Sequence, residues 1–531
     1  MKKIKNRFIK LFMAICLVFV SVFAFTQANA ISVVFAKTNT DSEYVNTITD
    51  LKTTNLMGGV TLYEQKMTSL LNGDKQKAFQ EHFVQWVDLA SYSNANVKLV
   101  TWTKQSMDNW TAATTKVCAL DWEKNHPGWI VIAGTNGDFF SNSGDNTKEP
   151  TNNFMADGDM YRADYVGGYR GVVGINGDNT VVVGDPKLSS NMMLYIFDKD
   201  GNVAEKLPIS GYNTAAASDG ITLYTKDCKD TYDLTGYTVM EGKYDLVRRT
   251  DLNSFYLKGT ITKVREGNAK EKPFDVREIN GVNDYVQEFY LVAKDGSLDQ
   301  LSIGDYIKCQ KDYTGKYAEV YNSASYWWKI LDEGTVMFEG HSDPKKREEI
   351  IKKYGQGYSD LGYVTCTKAR CLFGVKADGS YVMTCISGST SSGMTLSEAA
   401  YFMKEIGCVN AWDFDGGGSA TIIARNDEGK IYTVNTPSDA GDGTERRVGN
   451  AILMVVRDSG FKVNNSKSTP STVTLERKAG EEYSKMTNIS ITINNKEYKL
   501  ADDQTTCEIV GLAENTKLRL KFLYITDKII Y

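Results

Sequence analysis

The sequence predicts an α+β fold, with mixed β-sheets and packed helices in one large domain, followed by a small all-β immunoglobulin-like domain. Short strand patterns dominate residues 170–340, and strict alternation returns after residue 472, as in Ile489–Ile493. Helical patterns cover residues 110–125, 343–354 and 395–406; the first ends at a His-Pro-Gly stop signal and the third begins with a capping box.

The N-terminus has the layout of a secretory signal peptide. Five cations precede residue 11, Leu11–Phe25 is apolar apart from Ser21, and small residues follow at Ala28 and Ala30. We expect residues 1–30 to be removed and residues 31–49 to form a flexible lead. An uncleaved membrane anchor is the alternative, although the apolar run is short for a spanning helix. The mature protein is therefore expected to be secreted and free of the membrane.

The large domain is predicted to span residues 50–460, and its main elements follow from local patterns. A linker at 461–472 and a small β-sandwich-like domain at 473–531 complete the chain. The elements expected in the large domain are a strand at Val97–Trp102, a helix at Trp110–Asn125, a strand at Trp129–Ala133, a hairpin at Leu372–Ile386, a helix from Thr395 to about Ile406 with Glu398 completing a capping box, and strands at Val409–Phe414 and Ala451–Val456.

Composition excludes several classes of protein. The chain has 531 residues, 42% of them hydrophobic, and a formal net charge of −5, which favours a folded core and argues against nucleic acid as a partner. Only three histidines are present, so a multi-histidine zinc site is not expected. The cysteines are dispersed; Cys366 and Cys371 could form a disulfide or be buried as small hydrophobic residues.

The first candidate site is Asn136-Gly137-Asp138, directly after the predicted strand at 129–133. Polar groups at the carboxyl end of a strand are well placed for ligands in open sheets. Gly137 allows a tight turn, and Asn136 and Asp138 supply short hydrogen-bonding groups. An ordinary Asx turn is the alternative.

The second candidate site is Asp415-Gly416-Gly417-Gly418-Ser419, which also follows a predicted buried strand. Consecutive glycines can present several backbone N–H groups to an oxyanion such as phosphate, while Ser419 adds a hydroxyl and Asp415 a carboxylate. A flexible glycine turn is the alternative. Asp413 precedes Asp415 by two positions and is expected on the same face of the strand.

Two arginines and one glutamate complete the set of candidates. Arg370 leads the predicted hairpin and Arg446 leads the strand at Ala451–Val456, and either could hold phosphate through its guanidinium group. A surface arginine and an ion pair of Glu445 with a neighbour are the alternatives. Glu398 is a candidate carboxylate for catalysis, with helix capping as its alternative role.

These segments, in this order, resemble the phosphodiester glycosidase family. The resemblance rests on the N-G-x-F-F segment at Asn136–Phe140, an R-x-x-x-G segment at Arg370–Gly374, the D-G-G-G-S-A-T segment at Asp415–Thr421, and a closing segment at Glu445–Ala451. The sequence differs from the family where D-G-R often follows the hairpin, since it has Ser387-Gly388-Ser389 there.

The resemblance implies hydrolysis of the anomeric C–O bond of a sugar-1-phosphate diester, with α-N-acetylglucosamine as the expected sugar and a phosphorylated glycan or cell-wall polymer as the substrate. Asp415, Asp138 and Glu398 are then the candidate catalytic carboxylates, as glycosidases require. Arg370, Arg446 and the 416–419 backbone would stabilise the departing phosphate. No cofactor is expected.

Two alternatives remain open at this point. One is a non-catalytic surface protein that binds phosphorylated glycans. The other is a metal-dependent phosphodiesterase in which Asp413 and Asp415 hold a divalent cation.

Overall fold

The computed structural model describes most of the chain between residues 36 and 525. The described ranges are 36–38, 45–70, 79–89, 97–104, 110–141, 148–163, 170–225, 228, 230–248, 256–271, 277–279, 282–284, 288–338, 344–354, 364, 366–388, 393–438, 444–464, 466–469, 471–484, 487–493, 496–510 and 521–525. The predicted signal peptide lies outside them.

In the described part of the N-terminal third, strands predominate and one α-helix is present, α1 (Thr115–Asn125). The strands are β1 (Ala36–Thr38), β2 (Val45–Asn55), β3 (Val60–Leu70), β4 (Phe79–Leu89), β5 (Val97–Trp102), β6 (Trp129–Asn136), β7 (Phe154–Ala156), β8 (Asp159–Arg162), β9 (Gly171–Asn176) and β10 (Val181–Gly184).

The middle of the chain forms a closed seven-stranded barrel and a small hairpin. The barrel strands are β11 (Met193–Phe197), β12 (Val203–Tyr212), β13 (Ile221–Thr225), β14 (Thr238–Arg248), β15 (Tyr256–Glu266), β18 (Glu288–Ala293) and β19 (Tyr306–Gln310), and the hairpin strands are β16 (Arg277–Ile279) and β17 (Val282–Asp284).

The remaining chain adds α2 (Pro344–Tyr354), α3 (Leu396–Glu405) and α4 (Glu481–Ser484). Its strands are β20 (Val320–Tyr326), β21 (Trp328–Asp332), β22 (Thr335–Val336), β23 (Arg370–Lys376), β24 (Tyr381–Ile386), β25 (Cys408–Asp413), β26 (Ile422–Arg425), β27 (Ile431–Thr433), β28 (Ala451–Arg457), β29 (Phe461–Val463), β30 (Thr472–Arg477), β31 (Thr487–Ile493), β32 (Lys496–Lys499), β33 (Thr506–Val510) and β34 (Lys521–Ile525).

Three sheets outside the barrel position the candidate site. A nine-stranded sheet has the order β1-β2-β3-β4-β24-β23-β25-β21-β22, and two five-stranded sheets have the orders β27-β26-β6-β28-β5 and β10-β9-β20-β7-β8. Strands distant in sequence are neighbours: β6 lies between β26 and β28, and β25 lies between β23 and β21. The two motifs at Asn136 and Asp415 therefore come from strands of different sheets.

The main core lies between the nine-stranded sheet and the sheet containing β6. Successive side chains of β23 point to opposite faces of the sheet. Cys371 and Phe373 face this core, whereas Leu372 faces a second core on the outer side. Leu396 and Phe402 of α3 pack into that outer core, and Trp122 of α1 packs on the outer face of the other sheet. One short helix thus covers part of each outer face.

The predicted α+β class is wrong, because the fold is mainly β. Among the described residues, strand accounts for 52% and helix for 12%. The described residues between Val45 and Leu89 form mainly the long antiparallel strands β2, β3 and β4, although the sequence of residues 64–90 mixes helical and strand patterns. Pairing between these strands, rather than local sequence propensity, determines their conformation, as is common for β-strands.

Several predicted elements are confirmed, with small changes in their bounds. The hairpin is β23 and β24, and α3 carries the predicted capping box of Thr395 and Glu398. Helix α1 begins at Thr115, five residues later than expected, with Thr114 as its N-cap. Among the described residues, no helix is long and apolar enough to cross a membrane. The domain boundaries remain predictions. The C-terminal strands form two three-stranded sheets, β29-β30-β33 and β32-β31-β34. Strand β29 lies within the predicted linker.

Candidate functional site

The two motifs meet where strands β6 and β25 end. The backbone N–H of Asp415 donates to the carbonyl of Gly137 (3.1 Å), and Asn136 Nδ2 donates to the carbonyl of Asp415 (2.7 Å). These bonds join segments separated by 279 residues in the chain. The expectation that Asn136, Gly137, Asp138 and the glycine-rich segment form one site is therefore consistent with the fold.

Asn136 is buried and fully engaged by the protein. Its Oδ1 accepts from the backbone N–H of Thr421 (3.0 Å) and from Cys371 Sγ (2.9 Å). Together with the Nδ2 bond to Asp415, these contacts link the ends of β6, β23 and β25. Asn136 thus holds the site together rather than facing a ligand.

Gly137 is required by close packing. A Cβ atom at this position would lie 2.2 Å from Asn450 Oδ1, which accepts from the N–H of Asp138 (2.9 Å). A side chain at residue 137 would displace Asn450, which is itself buried. Gly137 therefore maintains the position of Asp138.

Asp138 is buried, and its carboxyl group is only partly satisfied. Oδ1 accepts from the backbone N–H of Ser325 (2.7 Å), whereas Oδ2 has no hydrogen-bond partner among the described residues. Burial raises the pKa of Asp138 well above its usual range, and the nearby charge of Asp415 raises this pKa further. Burial therefore favours the protonated form of this carboxyl group, which can donate a hydrogen bond.

Asp415 is partly exposed, at the start of the glycine-rich turn. Burial raises the pKa of Asp415 to about 7, while the Ser419 hydroxyl and the charge of Arg446 act in the opposite direction. The site therefore contains two neighbouring carboxyl groups, and burial raises the pKa of both.

The predicted phosphate-binding nest is mostly occupied by the protein itself. Residues 417–419 form a short 3₁₀ helix, in which the Gly417 N–H donates to the carbonyl of Ala369 (2.8 Å) and the Ser419 N–H to the carbonyl of Gly416 (3.2 Å). The Gly416 N–H bonds the Asp415 carboxylate. Of this turn, Gly418 alone has an N–H without a recorded partner among the described residues. The glycines mainly allow close packing, since a Cβ at Gly416 would lie 2.5 Å from the Ala369 carbonyl oxygen.

Arg370 lies behind the site and is 1% exposed, so it does not face solvent. It donates to the backbone carbonyls of Met394 (3.1 Å) and Cys366 (2.9 Å), and its Nη1 lies 3.7 Å from Asp413 Oδ2. Burial raises the pKa of Asp413 to about 7, and the charge of Arg370 opposes this shift. The pair supports β25 from the outer side, where Arg370 cannot reach a ligand in this conformation.

Positive charge at the exposed side comes from Arg446 and Lys148. Arg446 Nη1 lies 3.4 Å from Ser419 Oγ, and the charges of both Arg446 and Lys148 lower the pKa of Asp415. Both side chains are half-buried. They are the cations placed to meet an anionic substrate beside Asp415. Glu445, by contrast, pairs with Lys116 (3.2 Å).

Glu398 is buried in its capping box, away from these groups. Oε2 accepts from the backbone N–H of Thr395 (2.9 Å), and Oε1 accepts from Ser69 Oγ (2.7 Å). Both carboxylate oxygens are thus occupied by protein donors. The structure brings Asp138 and Asp415 together but leaves Glu398 at the start of α3.

A metal centre finds little support in the arrangement of side chains. Within the described ranges, no cluster of three or more His, Cys, Asp and Glu side chains could hold a metal ion. Cys366 and Cys371, considered above as a disulfide, are both free thiols. The expected lack of a cofactor remains a prediction.

Comparison with known proteins identifies one family. Residues 345–455 match the sequence model of the phosphodiester glycosidases. This part of the chain is similar to the phosphodiester glycosidase family. The matched segment contains Arg370, Glu398, Asp415–Ser419 and Arg446; the Asn136 motif lies outside it. The resemblance found in the sequence is thereby confirmed.

Distant structural likenesses exist as well. A hypothetical protein from Synechocystis has 15% identity and a TM-score of 0.42, over 80% of this chain and 68% of its own. The catalytic domain of zebrafish N-acetylglucosamine-1-phosphodiester α-N-acetylglucosaminidase, auto-inhibited by its pro-peptide, has 14% identity and a TM-score of 0.39, over 80% of this chain and 86% of its own. No curated protein sequence matches the chain.

Sequence reasoning missed three residues that complete the candidate site. Asn450 fixes Asp138, Cys371 contacts Asn136, and Lys148 lies beside Asp415. Asn450 belongs to the closing E-R-x-V-x-N-A segment, so this motif could have indicated that Asn450 is a site residue. Cys371 and Lys148 carried no such signal, because only the fold brings them to the site.

Proposed function

We propose that the protein is a phosphodiester glycosidase that hydrolyses the bond between the anomeric carbon of a sugar and a phosphodiester oxygen. The observation that carries this proposal is the pair of neighbouring carboxyl groups, Asp138 and Asp415, beside two cations. Glycosidases use two carboxyl groups around the scissile bond. The family of residues 345–455 supports the same reaction.

In the proposed reaction, Asp415 acts in its ionised form. It stabilises positive charge at the anomeric carbon or activates the attacking water. The C–O bond breaks and its electron pair stays on the phosphate oxygen, while water supplies the new hydroxyl of the sugar. Arg446 and Lys148 stabilise the departing phosphate. Asp138, protonated, donates a hydrogen bond or a proton to the site.

This assignment gives the remaining residues supporting roles. Asn136 and Gly137 position the backbone of Asp415, and Arg370 and Asp413 support the strand that leads to it. A phosphate monoester is a good leaving group, so strong acid assistance is unnecessary. The site needs charge stabilisation more than it needs a general acid.

The test is product analysis with an α-N-acetylglucosamine-1-phosphate diester in water labelled with heavy oxygen. We expect free N-acetylglucosamine carrying the label and an unlabelled phosphomonoester. Label in the phosphate, with release of N-acetylglucosamine 1-phosphate, would mean cleavage of the P–O bond and contradict the proposal. A parallel reaction with chelator tests whether a divalent metal takes part.

A matched pair of variants assigns the activity to the site. Asp415→Asn is expected to lower turnover by about 100-fold or more, the usual range for removing a catalytic carboxylate. Asp200→Asn makes the same change at an exposed turn and should leave turnover unaltered. Full turnover by Asp415→Asn would refute its catalytic role.

The same proposal includes three further points: the sugar is α-N-acetylglucosamine, the protein is exported, and it acts on a cell-wall polymer. The basic and apolar N-terminal segment supports export. Sequencing the N-terminus of the mature protein tests it: a start at residue 31 is expected, and an intact Met1 would contradict cleavage.

A further inference from the structure

A cavity of about 190 Å³ lies at the other end of the strands that carry the candidate site. Strand β6 begins at Trp129, which lines the cavity, and ends at Asn136, which belongs to the site. At about 3.3 Å per residue, the two are separated by roughly 23 Å. The volume is below the ~300 Å³ typical of the smallest drug-sized pockets, so the cavity fits a single small unit.

Two cations lie on one aromatic ring in the wall of this cavity. Trp129 and Arg457 face each other directly across β6 and β28, and Lys98 lies diagonally opposite Arg457 on β5. The Arg457 guanidinium carbon lies 4.4 Å from the Trp129 ring centroid, and Lys98 Nζ lies 5.4 Å from it.

The two cations repel each other. Burial lowers the pKa of Lys98, and the charge of Arg457 lowers this pKa further. Holding like charges together in a concave wall is unfavourable, and a bound anion would relieve the repulsion. The local charge is therefore suited to an anionic ligand.

Among the described residues that line the cavity, the one acidic side chain is already paired. Asp157 Oδ2 lies 2.8 Å from His126 Nε2. Burial lowers the pKa of His126, but the bond to Asp157 outweighs it, so the net shift is upward. The His126 ring also stacks on Trp122, with centroids 4.1 Å apart, and fixes its orientation. Asp157 therefore does not neutralise the two cations by itself.

Two buried polar atoms in the lining residues have no hydrogen-bond partner among the described residues. They are the donor Nε1 of Trp122, whose side chain is 3% exposed, and the acceptor Oδ1 of Asn176. Buried polar atoms are usually paired, because leaving one unpaired costs free energy. A ligand with hydroxyl groups could satisfy both.

We propose that this cavity is a second binding site, for an anionic saccharide unit such as a sugar phosphate. The anionic group lies between Lys98 and Arg457, and the sugar hydroxyls bond Trp122 Nε1 and Asn176 Oδ1. The site holds a phosphorylated glycan at a distance from the candidate catalytic carboxylates. Binding at this second site does not depend on turnover. A negative binding result therefore contradicts this proposal alone, and a lack of turnover contradicts only the proposed function.

The test follows the indole N–H resonance of Trp122 by NMR during titration with N-acetylglucosamine 1-phosphate. Trp122→Phe assigns the resonance. We expect a saturable shift in the wild type and a much smaller one with inorganic phosphate or with neutral N-acetylglucosamine. An equal response to inorganic phosphate or to the neutral sugar would overturn the anionic-saccharide assignment, as would no response to the sugar phosphate.

Charge variants locate the ligand. Arg457→Gln and Lys98→Gln should each weaken binding at least tenfold, and using both guards against a folding defect in one. Lys430→Gln removes an exposed charge elsewhere and should bind normally. Arg446→Gln, in the candidate catalytic site, should also retain the Trp122 shift. Normal binding by both cavity variants, or loss of the shift in Arg446→Gln, would overturn the proposal.

Discussion

The two carboxyl groups of the site differ because of what surrounds each of them. Asp138 is buried against the Ser325 backbone and the Asn450 side chain, whereas Asp415 is partly exposed beside Arg446 and Lys148. Burial raises both pKa values; the charge of Arg162 opposes this shift at Asp138, and the charges of Arg446 and Lys148 oppose it at Asp415. Burial favours the protonated form of both carboxyl groups, and the two cations beside Asp415 support its ionised form.

The pH dependence of turnover follows from Asp415. Its pKa is about 7, and the proposed role needs the ionised form, so kcat/KM should rise with pH and level off above that value. Below it, activity should fall about tenfold per pH unit. Steady-state kinetics between about pH 5 and pH 9 measure this. Activity that increases as the pH falls below 7 would assign Asp415 the role of an acid instead.

The residues recognised from the sequence are those whose motifs place them at the end of a strand. Asp138 and Asp415 were found in this way, because strand pattern and glycine spacing are local signals. The surroundings of the Arg370 side chain could not be predicted from such local signals. Arg370 leads a strand as expected, but it faces the outer core and the Met394 carbonyl, a contact that only the fold reveals.

At the scale of elements, the glycine-rich turn acts through its backbone. Gly416 lies against the Ala369 carbonyl, and Gly417 has a φ of +59°, which L side chains rarely adopt. The turn therefore fixes Asp415 by packing on the start of β23.

The two glycines should respond differently to alanine. Gly416→Ala places a Cβ 2.5 Å from a backbone oxygen, so the turn must move and turnover should fall at least tenfold. Gly417→Ala meets no atom within 4 Å and should mainly lose about 1 kcal/mol of stability. Turnover and urea unfolding of both variants measure the contrast. Equal turnover by the two would show that packing at Gly416 does not position Asp415.

Helix α3 provides a test of Glu398. Thr395→Ala removes the N-cap and should lower stability by about 1 kcal/mol. Glu398→Gln preserves the pattern of a capping box and should retain turnover. A loss of turnover of 100-fold or more in a well-folded Glu398→Gln protein would restore Glu398 as a catalytic residue.

Local sequence signals predicted individual strands and helices better than they predicted how the strands are ordered in the sheets. The hairpin of β23 and β24 follows from a D-G turn between two apolar runs, and α3 from its capping box. The fold class was wrong because β2, β3 and β4 have ambiguous patterns and gain their conformation by pairing with each other and with β24. Such pairings are long-range and leave little trace in a short window of sequence.

For the whole molecule, three carboxyl groups with raised pKa values make stability depend on pH. The pKa values of Asp138, Asp413 and Asp415 are all raised by burial in the folded state. The folded state therefore binds more protons than the unfolded state above about pH 4, and this contribution to stability declines as pH rises towards 7.

We expect the urea midpoint to be lower at pH 8 than at pH 5, and the difference to be smaller in Asp415→Asn than in the wild type. Asp200→Asn should retain the wild-type difference. A difference that is unchanged in Asp415→Asn would contradict the raised pKa of this carboxyl group.

The seven-stranded barrel has one further consequence. Met193 at its start and Gln310 at its end are direct partners across β11 and β19. The chain therefore enters and leaves the barrel at nearly the same point, between β10 and β20. A unit with adjacent ends can be gained or lost in evolution without stretching the strands on either side. Relatives that keep the strand-end carboxylates but differ greatly in length could thus share the same reactive centre.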